Sequence, residues 1–300
     1  MKISVLFLTS FLCFIVFQSC NNTSRNNIVS KKDILLIGVD SALNVIVNEQ
    51  KKAFENSYTN LTLSLSNLQE EELIKRLVNN TLNCTVIQRK LTDNEVRYIT
   101  EKEGNPPKQY IIAYNALALI TNRNSDIQSV SVREAQQYFN NTNPNFNLVF
   151  ENSKCQAISY FKDRFNLNNE QLSKAYSKNN FQELLNYVGK DLKVIGVIPF
   201  SYIADTENPK TIELLKNIKV LNINYQDSAG KLISINPSQE SITTKLYPFI
   251  MPIVLVNGNL EVKSGTTFVN YILKDRAQRL FLKLGLTPSV FPGREVRVKN

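Results

Sequence analysis

The chain has 300 residues, 43% of them hydrophobic and 20% charged, a balance that folds around a core and excludes a disordered chain. Thirty-five Lys and Arg against 26 Asp and Glu leave a net charge of +9, which suits an anionic ligand or surface. The basic residues are spread out, without the basic blocks or aromatic-basic repeats of single-strand binding, so no nucleic-acid partner is expected. There is no histidine, which removes Ser-His and Cys-His nucleophile pairs and most zinc sites; no enzyme activity, catalytic residue, cofactor or metal is expected.

In chain order, the N-terminus comes first. "MKISVLFLTSFLCFIVFQSC" places Lys2 before an apolar run from Ile3 to Phe17, then Ser19-Cys20. The run is too short for a spanning helix and reads as a signal peptide over residues 1–19. An ordinary cleaved signal with a chance cysteine is the plainer alternative to an acylated Cys20. Residues 20–32, rich in Asn and polar, read as a flexible tether. Only Cys84 and Cys155 remain for the folded part, either as a pair or as buried thiols.

"KKDILLIGV" then reads as a short strand, with Asp40-Ser41 as helix-cap residues. Leu43, Ile46, Val47, Ala53 and Phe54 share one face of the helix that follows. "LTLSL" alternates as a strand, and Ser66 with Gln69 reads as a capping box. Glu70, Glu71 and Glu72 fall in the first helical turn, where acids favour the helix dipole. "CTVI" completes a strand–helix–strand–helix–strand order that implies parallel pairing. Tyr110 to Thr121 reads as a long extended segment, and "NLVF" as a strand before the loop of residues 151–155, whose backbone N–H groups at a helix start suit an anion. "KVLNIN" reads as one strand. "YPFIMPIVLVNG" reads as an edge or crossing strand because of Pro248 and Pro252. A single final helix runs from Thr266 to about Leu284. Two long extended runs suggest two crossing segments, and hence two α/β lobes joined by a double hinge, with ligands between them.

Six segments in order resemble the substrate-binding proteins of bacterial phosphate ABC transporters over residues 33–290. They are "VIQRKLTDNE", "IIAYNALALITNRNS", "SVREAQQYF", "VIGVIPFSYI", "YPFIMPIVLVNG" and "FVNYILKDRAQRLFLKLGLTP". The start of the chain resembles the lipobox of bacterial lipoproteins, which implies acylation (palmitate included) at Cys20 and a membrane-anchored protein facing the periplasm or the outside. The resemblance implies a two-lobed periplasmic binding protein-like fold that closes by hinge motion. Lobe 1 is expected from residues 33–112 and 248–300, and lobe 2 from residues 113–247. It also implies a small anion, phosphate among them, and an ABC permease as partners.

The ligand residues of that family transfer unevenly. Ser41 matches a helix start. Ser66-Asn67 stands at a Gly-Ser loop whose glycines are missing, and the family's aspartate falls near Asn83 or Cys84. The family's Ser-Gly-Thr loop is Ser153-Lys154-Cys155, and its arginine falls near Val149 or Phe150. The match implies that Ser41, Ser66, Asn67, Cys84, Thr85, Arg89, Ser153 and Lys154 converge between the lobes. It also implies that Cys84 and Cys155 approach across the hinge, as a disulfide lock or as two separate thiols. Without glycine the loop approaches an oxyanion less closely, and Lys154 could replace the arginine as a point charge. Two functions follow: a lipid-anchored solute-binding protein with an altered site, or an interaction or sensor lipoprotein using the fold without ligand exchange.

Overall fold

The computed structural model describes residues 33–140, 142, 145–168 and 176–293. The expected signal peptide, Cys20 and the tether lie outside them. Among the described residues no helix is long and apolar enough to cross a membrane.

Strand β1 (Asp33–Asp40) buries Leu35, Ile37 and Val39 and leads through a short 3-10 turn, Ser41–Leu43, into helix α1 (Asn44–Ser57). The apolar positions of α1 repeat at helical spacing, so Ile46, Val47 and Phe54 are buried. In β2 (Leu61–Leu68), Leu61 and Leu63 point inward while Ser64 is exposed. Helix α2 (Glu70–Val78) and strand β3 (Cys84–Ile87) follow, and β1 pairs in parallel with both β2 and β3. The expected Ser66–Gln69 box does not form. Ser66 pairs with Gly38 in a ladder that runs to Leu68, and that ladder outweighs the local cap. Helix α3 (Asp93–Glu103) has a capping box from Thr92 and Glu95 and ends on left-handed Gly104.

Strand β4 (Lys108–Asn122) spans 15 residues, about 50 Å at the usual rise. Beyond it come β5 (Ser129–Ser131), α4 (Val132–Phe139), β6 (Asn147–Phe150), α5 (Gln156–Phe165), β7 (Tyr176–Ser177), α6 (Phe181–Val188) and β8 (Val194–Pro199). Helix α7 (Pro209–Asn217) leads to β9 (Ile218–Val220) and β10 (Asn222–Gln226). The single strand expected over "KVLNIN" is therefore two. The ladder of β9 joins β4, while β10 joins β5 and then β11 (Leu232–Ile235) in a separate sheet. Helix α8 (Gln239–Thr243), β12 (Ile250–Asn257), α9 (Lys263–Ile272), α10 (Asp275–Lys283) and β13 (Thr287–Pro288) complete the chain. The main sheet has the order β2-β1-β3-β12-β4-β8-β6-β7.

Strand β12 is central rather than an edge, antiparallel to both β3 and β4. Pro252 is tolerated because β3 pairs only with Val254–Asn257, leaving no neighbour on that side of the proline. The final helix is broken at Lys274, whose extended backbone separates α9 from α10. Buried Gln278 donates to the Ile272 carbonyl that the break exposes, and to the Ile112 carbonyl.

The buried apolar side chains group into separate clusters. One runs from Ala116 to Met251 in sequence and centres on Phe139, Phe150, Phe161 and Phe249. A second includes Leu35, Phe54, Ala113, Ile253, Phe268 and Tyr271. A third lies under α2 and α3, with Leu73, Leu77 and Ile99. Strand β4 passes from the second cluster to the first between Ala113 and Ala116, and β12 passes back between Met251 and Ile253. The α/β fold is thus two-lobed, with two crossing strands.

Gly285 ends α10 in the left-handed region at φ 80°, with Leu286 N–H bonded to the Phe281 carbonyl. A Cβ there would stand 2.7 Å from the Ala204 Cβ and 3.1 Å from the Ser201 carbonyl oxygen. Gly285→Ala should cost about 1–3 kcal/mol from backbone strain alone, read as a lower urea midpoint at an unchanged slope.

Candidate functional site

The carboxyl end of β1 delivers Asp40, 8% exposed, whose Oδ1 accepts the Ala42 N–H at 2.9 Å and caps the turn that presents Ser41. Facing it, β6 ends at Phe150 and opens into the loop Glu151 to Cys155 before α5. Asn152 Oδ1 accepts the Lys154 N–H at 3.0 Å and shapes this loop, while no side chain caps α5. The first turn of α2 contributes Glu70, and the start of α6 contributes Asn180 and Phe181. Phe181 packs edge-on to Tyr202 at 4.8 Å between centroids. Together these groups enclose a cavity of about 270 Å³.

Its charge is dominated by carboxylates. Asp40, Glu70 and Glu151 all titrate above their ordinary range, first because burial disfavours the charged form and then because Asp40 repels the other two. Burial pushes the Tyr202 hydroxyl up to about 12 and the Cys155 thiol up to about 11, so both stay neutral. Lys154 is the single cation in the lining. Arg89 stands behind it, fully committed. Its Nε donates to Glu70 at 2.6 Å, and its two terminal nitrogens fork onto Glu95 at 2.8 Å each. The other oxygen of Glu70 accepts the Gln156 amide, which ties α2 to α5 across the cavity.

Such a lining is rich in acceptors. Its carboxylates repel a fully ionised oxyanion and offer acceptors to O–H or N–H donors. Among the described residues no group of His, Cys, Asp or Glu is placed to hold a metal ion.

Of the residues expected to converge, Ser41 and Lys154 line the cavity, with Cys155 beside them. Ser153 is exposed on the same loop and does not line it. Arg89 acts behind it, through Glu70. Ser66 and Asn67 remain in β2, paired with Gly38 and Val39. Cys84 is fully buried, its Sγ donating to Asn257 Oδ1 at 3.6 Å, and Thr85 donates to the Gly38 carbonyl at 3.1 Å. Cys84 and Thr85 lie in the sheet interior, Ser66 and Asn67 on the edge strand β2, half-buried and exposed; the strand ladders hold all four short of the cavity. Cys84 and Cys155 are both free, so no lock joins them. Asp40, Glu70, Glu151, Gln156 and Tyr202 were not among the expected ligands. A carboxylate at the end of a parallel strand was the one available signal, for Asp40.

A polar cavity at strand ends, in a two-lobed α/β fold with two crossing strands, defines the class of small-solute binding proteins. A family model described as a PBP superfamily domain matches residues 24–276, and the chain belongs to that superfamily, one of binding proteins rather than of enzymes. None of the curated proteins matches the sequence. Among solved structures, the chain is similar to a protein from Clostridium perfringens assigned as a phosphate ABC transporter substrate-binding protein, with phosphate bound. That match has 17% identity, covers 86% of this chain and 100% of the other, and has a TM-score of 0.67. PstS from Borrelia burgdorferi matches at 19% identity over 86% of this chain and 99% of the other, with a TM-score of 0.61. An ABC-type phosphate transport receptor from Vibrio cholerae matches at 12% identity over 84% of this chain and 99% of the other, with a TM-score of 0.68.

The raised carboxylates have a consequence for stability. Above the ordinary value of 4.5 for a Glu, the folded chain binds more protons at Glu151 than the unfolded chain does. Stability should therefore fall as pH rises through that window, and be fullest below it. Glu151→Gln should melt higher than the wild type at neutral pH, with the gap closing toward acid pH in a thermal scan.

Proposed function

We propose that this chain is a lipid-anchored solute-binding protein that supplies a small oxyanion to an ABC permease, with a site altered from that of its phosphate-binding relatives. The division into residues 33–112 and 248–300 as one lobe and 113–247 as the other is supported to within a few residues by the core clusters, between which β4 crosses at Ala113–Ala116 and β12 at Met251–Ile253. The anchor reading rests on Phe17-Gln18-Ser19-Cys20 after the apolar run, with each buried acyl CH₂ adding about 0.8 kcal/mol of membrane binding.

The observation that carries the ligand reading is the lining itself, three carboxylates and one lysine around the cavity. Its ligand is an oxyanion that keeps protons: the carboxylates accept its O–H groups while Lys154 and the backbone meet its charge. Phosphate in its protonated form fits, and sulfate, which has no proton to give near neutral pH, does not. Calorimetry with phosphate and sulfate at about pH 5.5 and about pH 8 tests this. Phosphate should bind more tightly at the lower pH, since falling pH protonates both ligand and lining. Lys154→Ala should weaken it by about tenfold, roughly 1.4 kcal/mol. Equal affinity for sulfate and phosphate would sink the reading. For the anchor, Cys20→Ala should release the protein or leave the precursor uncut; a variant retained in the membrane fraction at mature size contradicts it.

A second reading, an interaction or sensor lipoprotein without ligand exchange, is favoured by the Gln156–Glu70 hydrogen bond, which ties the two sides of the cavity together. Absence of heat with either anion at both pH values would make it the better account.

A further inference from the structure

A larger groove lies beside the crossing strands, about 820 Å³ in volume, well within the size of small-molecule sites. We propose that it is a second ligand site, built for a ring-bearing organic anion such as an aromatic carboxylate. The groove adjoins the cavity described above at Gln156, which lines both, and at Arg89, and both side chains are spent on Glu70. The inference therefore stands apart from the oxyanion reading.

Its walls are flat and held in place. Tyr247 is 1% exposed and its hydroxyl donates to the Leu117 carbonyl at 2.8 Å. The Tyr160 hydroxyl donates to the Pro248 carbonyl at 3.2 Å, and the Tyr225 hydroxyl to the Leu246 carbonyl at 2.5 Å. All three phenols thus spend their donors on the backbone; half-buried Tyr160 and Tyr225 leave ring surface to the groove, while Tyr247 is buried. Pro248, Ile250 and Pro252 continue that apolar floor along the approach to β12 and its first turns. Rings fixed in this way stack on a flat ligand with little loss of conformational freedom.

Its rim is cationic. Arg164, on α5, and Lys245, on the turn after α8, are both exposed lining residues with no ion pair among the described residues. Lys245 holds a left-handed backbone at φ 57°, where glycine would be less strained. Asp163 is the only acid in the lining, and Arg89 is already neutralised by Glu70 and Glu95. The free charge is thus two cations against one acid, over aromatic walls. That combination recognises an anion with a flat apolar body: the body lies on the tyrosines, and the carboxylate reaches Arg164 or Lys245. Inorganic anions would leave the apolar floor uncovered, and a neutral ring would leave the cations unanswered.

Equilibrium dialysis tests this on the full-length protein in lipid nanodiscs, with empty discs as the blank and 2-naphthoate as probe. One naphthoate should bind per chain, at least about tenfold more tightly than the neutral 2-naphthamide. The pair Arg164→Gln and Lys245→Gly should weaken naphthoate by about tenfold or more at an undiminished melting temperature, since both side chains are exposed and glycine relieves the backbone at 245. Saturating phosphate should leave naphthoate binding unchanged. Failure of naphthoate to bind, equal affinity for acid and amide, or full affinity in the double variant would overturn the proposal. Displacement by phosphate would overturn it as well, by placing the probe in the smaller cavity.

Discussion

The antiparallel pairing of β4 with β12 is the constraint on which the rest of the structure depends. The register runs from Ile250 opposite Ala116 to Asn257 opposite Lys108, with a shift between Ile253 and Val254. That shift falls just beyond the Met251–Ile253 passage of β12 between core clusters, and one pair of strands belongs to both lobes. The pairing also fixes what hangs from it. Asn115, 2% exposed, accepts the Ala116 and Ser201 N–H groups and donates to Ser201 Oγ, which holds the turn that carries Tyr202 into the cavity wall. A two-lobed binding protein closes by changing a few backbone angles in such crossings.

The second organising feature is electrostatic, and it runs against the chain's overall charge. A net +9 describes the surface and its long-range field. The cavity beneath carries Asp40, Glu70 and Glu151. Burial penalises every one of these carboxylates, and only Glu70 is relieved by a cation, because Arg89 is placed behind it. Arg89 in turn spends its fork on Glu95, the residue that also completes the Thr92 capping box of α3. A guanidinium held on both sides by carboxylates is a structural group. Freeing it for a ligand would leave Glu70 buried and unpaired, at a cost of several kcal/mol. The site's chemistry therefore follows from how α2 and α3 are stitched together as much as from the residues that face the ligand.

Much of the fold was legible in the sequence because its signals are local. Alternation in "LTLSL", helical spacing in Ile46, Val47 and Phe54, and the unbroken apolar runs of β4 and β12 depend only on neighbours along the chain. The misreadings share one cause. The Ser66–Gln69 box gave way to a strand ladder, the final helix broke where Gln278 could serve the exposed carbonyl, and Pro252 entered a central strand at the point where one neighbour ends. In each case the tertiary setting, a ladder formed or left open or a buried side chain in place, decided against a valid local rule.

By itself the sequence determined the α/β succession, the two crossing strands and the amphipathic face of α1. It could not determine that Asp40, Glu70 and Glu151 share one cavity, nor that Ser66, Asn67, Cys84 and Thr85 stay in their strand ladders, away from it. A side chain's secondary structure is set by its near neighbours. Which strand ends face each other, and which cation a carboxylate spends itself on, are set by sheet order and register, and these exist only once β1, β3, β12, β4, β8 and β6 lie side by side.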